Sequence, residues 1–202
     1  MITNVLQHRE IAHLATILAA RPAATVDCEP DTHPLRAAVT LLLRPGDSGG
    51  LELLLIKRAE YEGDPWSGQV ALPGGRREPD DLSLEQTAVR ETWEETAIDI
   101  ARDGLMLGAL DEVSPRTPTV RRVIVRPYVA AIVPDVAIVE SPEVAAAFWV
   151  PLARLRETAA WITAEVVAHG QSLTVPAFTH GEYVVWGLTE RILRGFLELL
   201  EG

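Results

Sequence analysis

An α+β fold, a mixed β-sheet held between helices as an α/β/α sandwich, is what this sequence predicts. Three observations lead there. Amphipathic helix patterns open, interrupt and close the chain; short apolar runs of strand character lie between them; and turns rich in Gly and Pro punctuate the runs. We find no internal repeat, low-complexity linker or domain boundary, so residues 1–202 read as a single domain. Hydrophobic residues make up 48% and charged residues 23%, ordinary globular values that exclude a disordered chain.

Residues 3–19 read as a helix, with Val5, Ile11, Leu14, Ile17 and Leu18 at roughly helical spacing. Charges inside this stretch distinguish it from a signal peptide. "RAAVTLLLR" (36–44) and "LELLLIKR" (51–58) are strand-like, and "PGDSGG" between them predicts a hairpin. "GQVAL" (68–72) is a third short strand running into "PGG". After Pro79 a helix begins, with Ser83 as N-cap and Gln86 completing a capping box. "TVRRVIVRPYVAAIV" (119–133) partly alternates, as a half-buried strand does, and "VAAAFWVPL" (144–152) is another strand. A short helix follows through "ARLRETA" (153–159). "EYVVWG" (182–187) leads into a final amphipathic helix at 188–200.

The net charge of -11 argues against a protein that grips nucleic acid by its phosphates. Small phosphate ligands stay compatible, because bound divalent cations invert the local sign. No apolar run approaches the roughly 18 residues of a membrane span. Cys28 is the only cysteine, which excludes an internal disulfide and a cysteine-rich metal site and fits a reducing cytoplasm. His8, His13, His33, His169 and His180 are scattered without metal-ligand spacing. Neither a Ser-centred nucleophile elbow nor a Walker-type phosphate loop occurs.

The stretch "GGRREPDDLSLEQTAVRETWEET" (74–96) concentrates three carboxylates at its end, Glu91, Glu94 and Glu95. At about 100° per residue they share an arc of roughly 100° on one helix face. Val89 and Trp93 fall on the opposite side, where they are expected to pack into the core. Like charges one turn apart destabilise a helix by a few tenths of a kcal/mol, and the helix C-terminus disfavours anions further. Helix stability therefore does not explain the cluster. Adjacent carboxylates suit a hard cation such as Mg²⁺ or Mn²⁺, and the preceding Gly-Gly lets backbone approach a ligand closely.

"GGRREPDDLSLEQTAVRETWEETAI", extended upstream by "SGQVALPGG", resembles the signature of the Nudix hydrolases: a glycine, a mid-loop acid, then R-E-x-x-E-E on a helix. The resemblance implies a loop–helix–loop that holds Mg²⁺ or Mn²⁺ against the pyrophosphate of a small nucleotide substrate, whose phosphorus water attacks. Fourteen residues separate Gly75 from Arg90, one more than in the common form, and the mid-loop acid is Asp81 rather than Glu. Both features resemble the coenzyme A pyrophosphatase-like branch, as does "WGLT" (186–189). Thr92 stands where the family has a small apolar residue and Ala97 where it has glycine, which puts the exit turn's backbone at issue.

By this resemblance Glu91 and Glu95 are the principal metal ligands, Glu94 a ligand of a second metal directly or through water, and the Gly74 carbonyl a further ligand. Arg90 pairs with the carboxylates and orients them. The general base is a glutamate of the motif or of a later loop. Of Glu140 and Glu143, the second is preferred, because E-V before "WVPL" resembles the family's segment there. Arg58, Arg76 and Arg77, with Gly75 and Arg90, are candidates for substrate contact, since an arginine fork bonds two phosphate oxygens at once. Trp66 and Trp186 are expected in the core. Coenzyme A or an acyl derivative is the expected substrate. Nucleotide sugars, dinucleoside polyphosphates, damaged nucleotides, or a catalytically silent sensing role are the alternatives. Family members often pair as homodimers, and the N-terminal helix is the element that would serve such an interface.

Overall fold

The structure, a computed structural model, describes residues 2–26, 34–63, 66–115, 123–168 and 170–201. Cys28, His33, His169 and the first residues of the 119–133 run lie outside the described residues. The expected N-terminal helix divides into a 3-10 segment, Ile2–Gln7, and helix α1, Arg9–Ala20. Strands β1 (Leu35–Pro45) and β2 (Leu51–Arg58) form the expected hairpin, with Leu43 opposite Leu53. They pair only near the turn and then splay. The next segment fills the wedge: β3 (Val70–Ala71) pairs with β2, and β4 (Gly74–Arg76) pairs with β1. The Thr40 amide donates to the Pro73 carbonyl at 2.8 Å and ties the connection down. The double glycine is thus built into the middle of the sheet.

Helices α2 (Leu84–Thr96) and α3 (Ile100–Asp103) lead to β5 (Gly104–Ala109) and β6 (Val123–Ile132). Strand β6 runs parallel to β1 and antiparallel to β5, and β7 (Val144–Pro151) runs antiparallel to β2 on its outer edge, so the seven-stranded sheet is mixed. Helix α4 (Leu152–Leu155) and a 3-10 turn, Thr158–Ala160, replace the single short helix expected there. Strands β8 (Trp161–Ala168), β9 (Gln171–His180) and β10 (Tyr183–Trp186) then build a second, three-stranded antiparallel sheet. Helix α5 (Gly187–Glu201) closes the chain.

Leu41 and Leu43 of β1 face one side of the large sheet and Leu42 the other. Both faces are covered, which is why the strand reads as an unbroken apolar run. On one face Leu42, Leu54, Ala130 and Ile132 meet Ile98 and Ile100 around α2 and α3. On the other, Leu41, Leu43, Leu53 and Leu55 meet Ile11 and Leu14 of α1, Phe196 of α5, and Phe178 and Val185 of the small sheet. Each such fully buried side chain contributes about 1.5–3 kcal/mol. Among the described residues, no helix is long and apolar enough to cross a membrane.

Candidate active site

Helix α2 is placed by its two ends. The Ser83 side chain accepts from the Gln86 amide at 3.1 Å, and Gln86 returns a bond to the Leu82 amide at 2.8 Å, one residue earlier than a standard capping box. At the other end Ala97 adopts φ 58° and ψ 15° and donates its amide to the Trp93 carbonyl at 2.7 Å. The left-handed exit turn forms without glycine.

The face that α2 turns to the sheet differs from the expected one. Thr87, Ala88, Thr92, Glu95 and Thr96 are buried, whereas Trp93 is 57% exposed. Val89 does pack, beside Ile98 and Ile100. Three threonines substitute for a hydrophobic stripe because their hydroxyls are satisfied locally. Thr92 donates to the Ala88 carbonyl at 2.7 Å and lies 2.9 Å from the Thr40 hydroxyl. Such small side chains let the helix settle close to β1 and carry Glu95 inward with them.

The two glycines make room for the carboxylates in different ways. A Cβ on Gly75 would lie 2.5 Å from the Glu91 carboxylate. Gly74, with φ 151°, would place a Cβ 2.3 Å from the Ala38 carbonyl, and its amide donates to Glu95 Oε2 at 2.8 Å. The Gly74 N–H is thus a direct partner of a carboxylate in the cluster. Glu95 is 4% exposed, and Arg58 Nη1 stands 3.9 Å from its Oε1. Burial pushes the Glu95 carboxyl up to about 8; the Gly74 amide opposes the shift, and the charge of Glu91 adds to it. Burial also raises Glu91, against the pull of Arg90.

Arg90 is the hub of the cluster. Its Nε and Nη2 donate to the two oxygens of Asp81 at 3.1 and 3.0 Å, Nη1 lies 3.0 Å from Glu91 and 2.8 Å from Glu94, and Nη2 also reaches the Arg76 carbonyl. Asp81 is buried and takes two more bonds, from the Thr87 hydroxyl and the Glu78 amide. Hydrogen bonding from Arg90 holds its carboxyl well below the usual carboxylate range. In the sequence Asp81 stands out only as the mid-loop acid of the signature. Its anchoring role was not legible, because nothing in the spacing says that it is buried.

Glu143 immediately precedes β7, where its carbonyl accepts from the Ala59 amide just past β2, and its charge reaches both Glu91 and Glu95. Glu140 instead accepts from the Ala147 amide at 2.7 Å. The arginines part company. Arg58 faces Glu95. Arg76 is exposed and lies over the half-buried Trp66 ring, 5.9 Å from its centroid. Arg77 donates from Nε and Nη2 to the Asp81 carbonyl, closing the loop before α2. Trp66 and Trp186 are each only partly buried.

Among the described residues, no three His, Cys, Asp or Glu side chains converge as a ready metal cage. Arg90 holds Glu91 and Glu94, while Gly74 and Arg58 hold Glu95. The donor set itself, carboxylate oxygens on adjacent turns of one helix with Glu143 opposite, fits a hard divalent cation.

A family model described as NUDIX domain matches residues 34–170. The chain is 30% identical over 185 residues to the Arabidopsis thaliana protein named Nudix hydrolase 15, mitochondrial, covering 84% of this chain and 60% of that protein. It is 34% identical over 137 residues to the Mus musculus mitochondrial coenzyme A diphosphatase NUDT8, covering 66% of this chain and 63% of that one. The chain thus spans less than two thirds of the length of either relative. Among solved structures, the NUDIX domain of Shewanella oneidensis NrtR, complexed with ADP ribose, superposes with a TM-score of 0.50 at 26% identity, over 63% of this chain and 80% of that one.

Proposed function

The chain belongs to the Nudix hydrolase family, and from that premise we propose that it is a divalent-metal-dependent pyrophosphohydrolase whose substrate is coenzyme A or an acyl-coenzyme A. Water attacks a phosphorus of the pyrophosphate, the bridging P–O bond breaks, and phosphopantetheine (or its acyl form) and 3′,5′-ADP leave. The observation that carries this reading is the buried Glu95 on α2, raised in pKa beside Glu91 and packed against the double glycine of β4. A carboxylate so placed is poorly explained by the fold alone and well explained by a cation.

Glu91, Glu95 and Glu94 would hold Mg²⁺ or Mn²⁺. The bound cation would neutralise the pyrophosphate and lower the pKa of the attacking water. Glu143 takes the proton of that water: it is exposed, stands off the helix that would hold the metal, and its charge reaches Glu91 and Glu95. Arg58 and Arg76 offer cationic forks to phosphate oxygens. Arg90 keeps Glu91 and Glu94 in register. One domain over 1–202 is part of the reading: α1 and α5 lie outside the matched residues yet bury their apolar faces in the same cluster as β1 and β2.

The mouse relative, by its name, acts on coenzyme A, which favours this substrate. The ADP ribose bound by the NrtR domain favours a second reading, hydrolysis or sensing of a nucleoside diphosphate linked to a sugar. The single cysteine fits the cytoplasm, although both named relatives are mitochondrial.

Hydrolysis of a panel tests this reading: coenzyme A, ADP-ribose, NADH, a diadenosine polyphosphate and nucleoside triphosphates, with and without Mg²⁺ or Mn²⁺, products identified by mass. Metal-dependent cleavage of coenzyme A at its pyrophosphate is expected. Cleavage of another compound alone would keep the reaction and replace the substrate. Binding without cleavage would make the protein a sensor.

A further inference from the structure

The loop that carries Glu143 is held from two sides. From α2, the Thr96 carbonyl accepts from the Val139 amide at 2.9 Å and the Glu95 carbonyl from the Ser141 amide at 3.2 Å. From the end of β2, the Ala59 amide donates to the Glu143 carbonyl at 2.8 Å, and the Tyr61 hydroxyl donates to the Pro142 carbonyl at 3.0 Å. Of these four ties, three are backbone bonds and the fourth is a side chain. Tyr61 is itself fixed, since its amide donates to the Ser67 hydroxyl at 2.8 Å across its own loop. Yet Tyr61 is 50% exposed, so it adds little to the core.

An exposed tyrosine whose hydroxyl grips the carbonyl just before Glu143 has little to do for stability. One solvent-exposed hydrogen bond exchanges for bonds to water and adds little net stability. Its effect on position is larger: a reacting group displaced by about 1 Å can lose on the order of 10²-fold in rate. We propose that Tyr61 is a positioning residue, which through the Pro142 carbonyl fixes the Glu143 carboxylate against Glu91 and Glu95. This rests on the reading of Glu143 as the base.

The test is a double-mutant cycle on the full chain with the substrate that the panel identifies. Tyr61→Phe removes only the hydroxyl. It is expected to lower kcat three- to tenfold with KM and melting temperature nearly unchanged, and to speed hydrogen exchange at 139–144 but not along α2. In a Glu143→Gln background the same change should have no further effect. A Tyr61→Phe enzyme with wild-type kcat, or one whose loss multiplies that of Glu143→Gln, would overturn the proposal. If Glu143→Gln itself leaves kcat intact, the assignment of the base falls instead, and the positioning role falls with it.

Discussion

Asp81 grips Arg90 with both carboxylate oxygens, nine residues away in sequence, and so turns the opposite edge of the guanidinium toward Glu91 and Glu94. The pair is largely withdrawn from water, and one side of it cannot be removed cheaply. Breaking a buried pair typically costs about 3–5 kcal/mol. Asp81→Asn keeps the shape and some hydrogen bonds, so we expect a loss of about 2–3 kcal/mol. Thermal melting measures this, and kcat should fall by at least tenfold as Arg90 loosens its hold on the glutamates.

The two glycines should fail differently. Gly74→Ala forces a Cβ into the Ala38 carbonyl, which is backbone and cannot move aside. Severe destabilisation or failure to fold is expected. Gly75→Ala meets only the end of the Glu91 side chain. That variant should fold with a near-normal melting temperature and bind Mn²⁺ at least tenfold more weakly by calorimetric titration.

Ala97 holds a left-handed conformation that costs an ordinary residue about 1–2 kcal/mol. Glycine relieves this but gains entropy when unfolded. The net expectation for Ala97→Gly is about 0.5–1 kcal/mol of added stability, read as a rise of roughly 1–4 °C in Tm, with kcat unchanged.

How far these features could be read from sequence depends on what each residue signals. The hairpin, β7 and α5 follow from apolar runs bounded by turns. Ser83 announces the start of α2, and the glutamates announce their face. The inward face of α2 is not legible in the sequence, because Trp93 is the strongest apolar signal on the helix, while the threonines that pack look polar. Whether a hydroxyl finds its partner is a tertiary fact. The small sheet is poorly signalled because β8 and β9 mix apolar with polar residues and β9 carries Pro176, although the glycine turn at 170 between two β-branched runs marks a hairpin. Strand β4 is three residues long and made mostly of glycine, and only its neighbours β1 and α2 make it a strand.

Glu95 should make stability depend on pH. Its carboxyl ionises near 4.5 when unfolded and near 8 when folded. Between these values the folded chain holds a proton that the unfolded chain has released, so stability falls as pH rises across that window, by up to about 1.4 kcal/mol per unit. Melting of chelator-treated protein from pH 5 to 8 should show the decline, and Glu95→Gln should flatten it. Added Mg²⁺ should stabilise more at pH 8 than at pH 5, because the cation competes with that proton.

The most direct test of the central claim is the kcat of Glu91→Gln and Glu95→Gln with saturating Mg²⁺, each variant checked for a native melt. A carboxylate converted to its amide keeps its volume and loses the charge a cation needs. Turnover at least 10³-fold below wild type in a folded protein is the predicted result. Turnover close to wild type in either variant would contradict the assignment of that glutamate as a metal ligand.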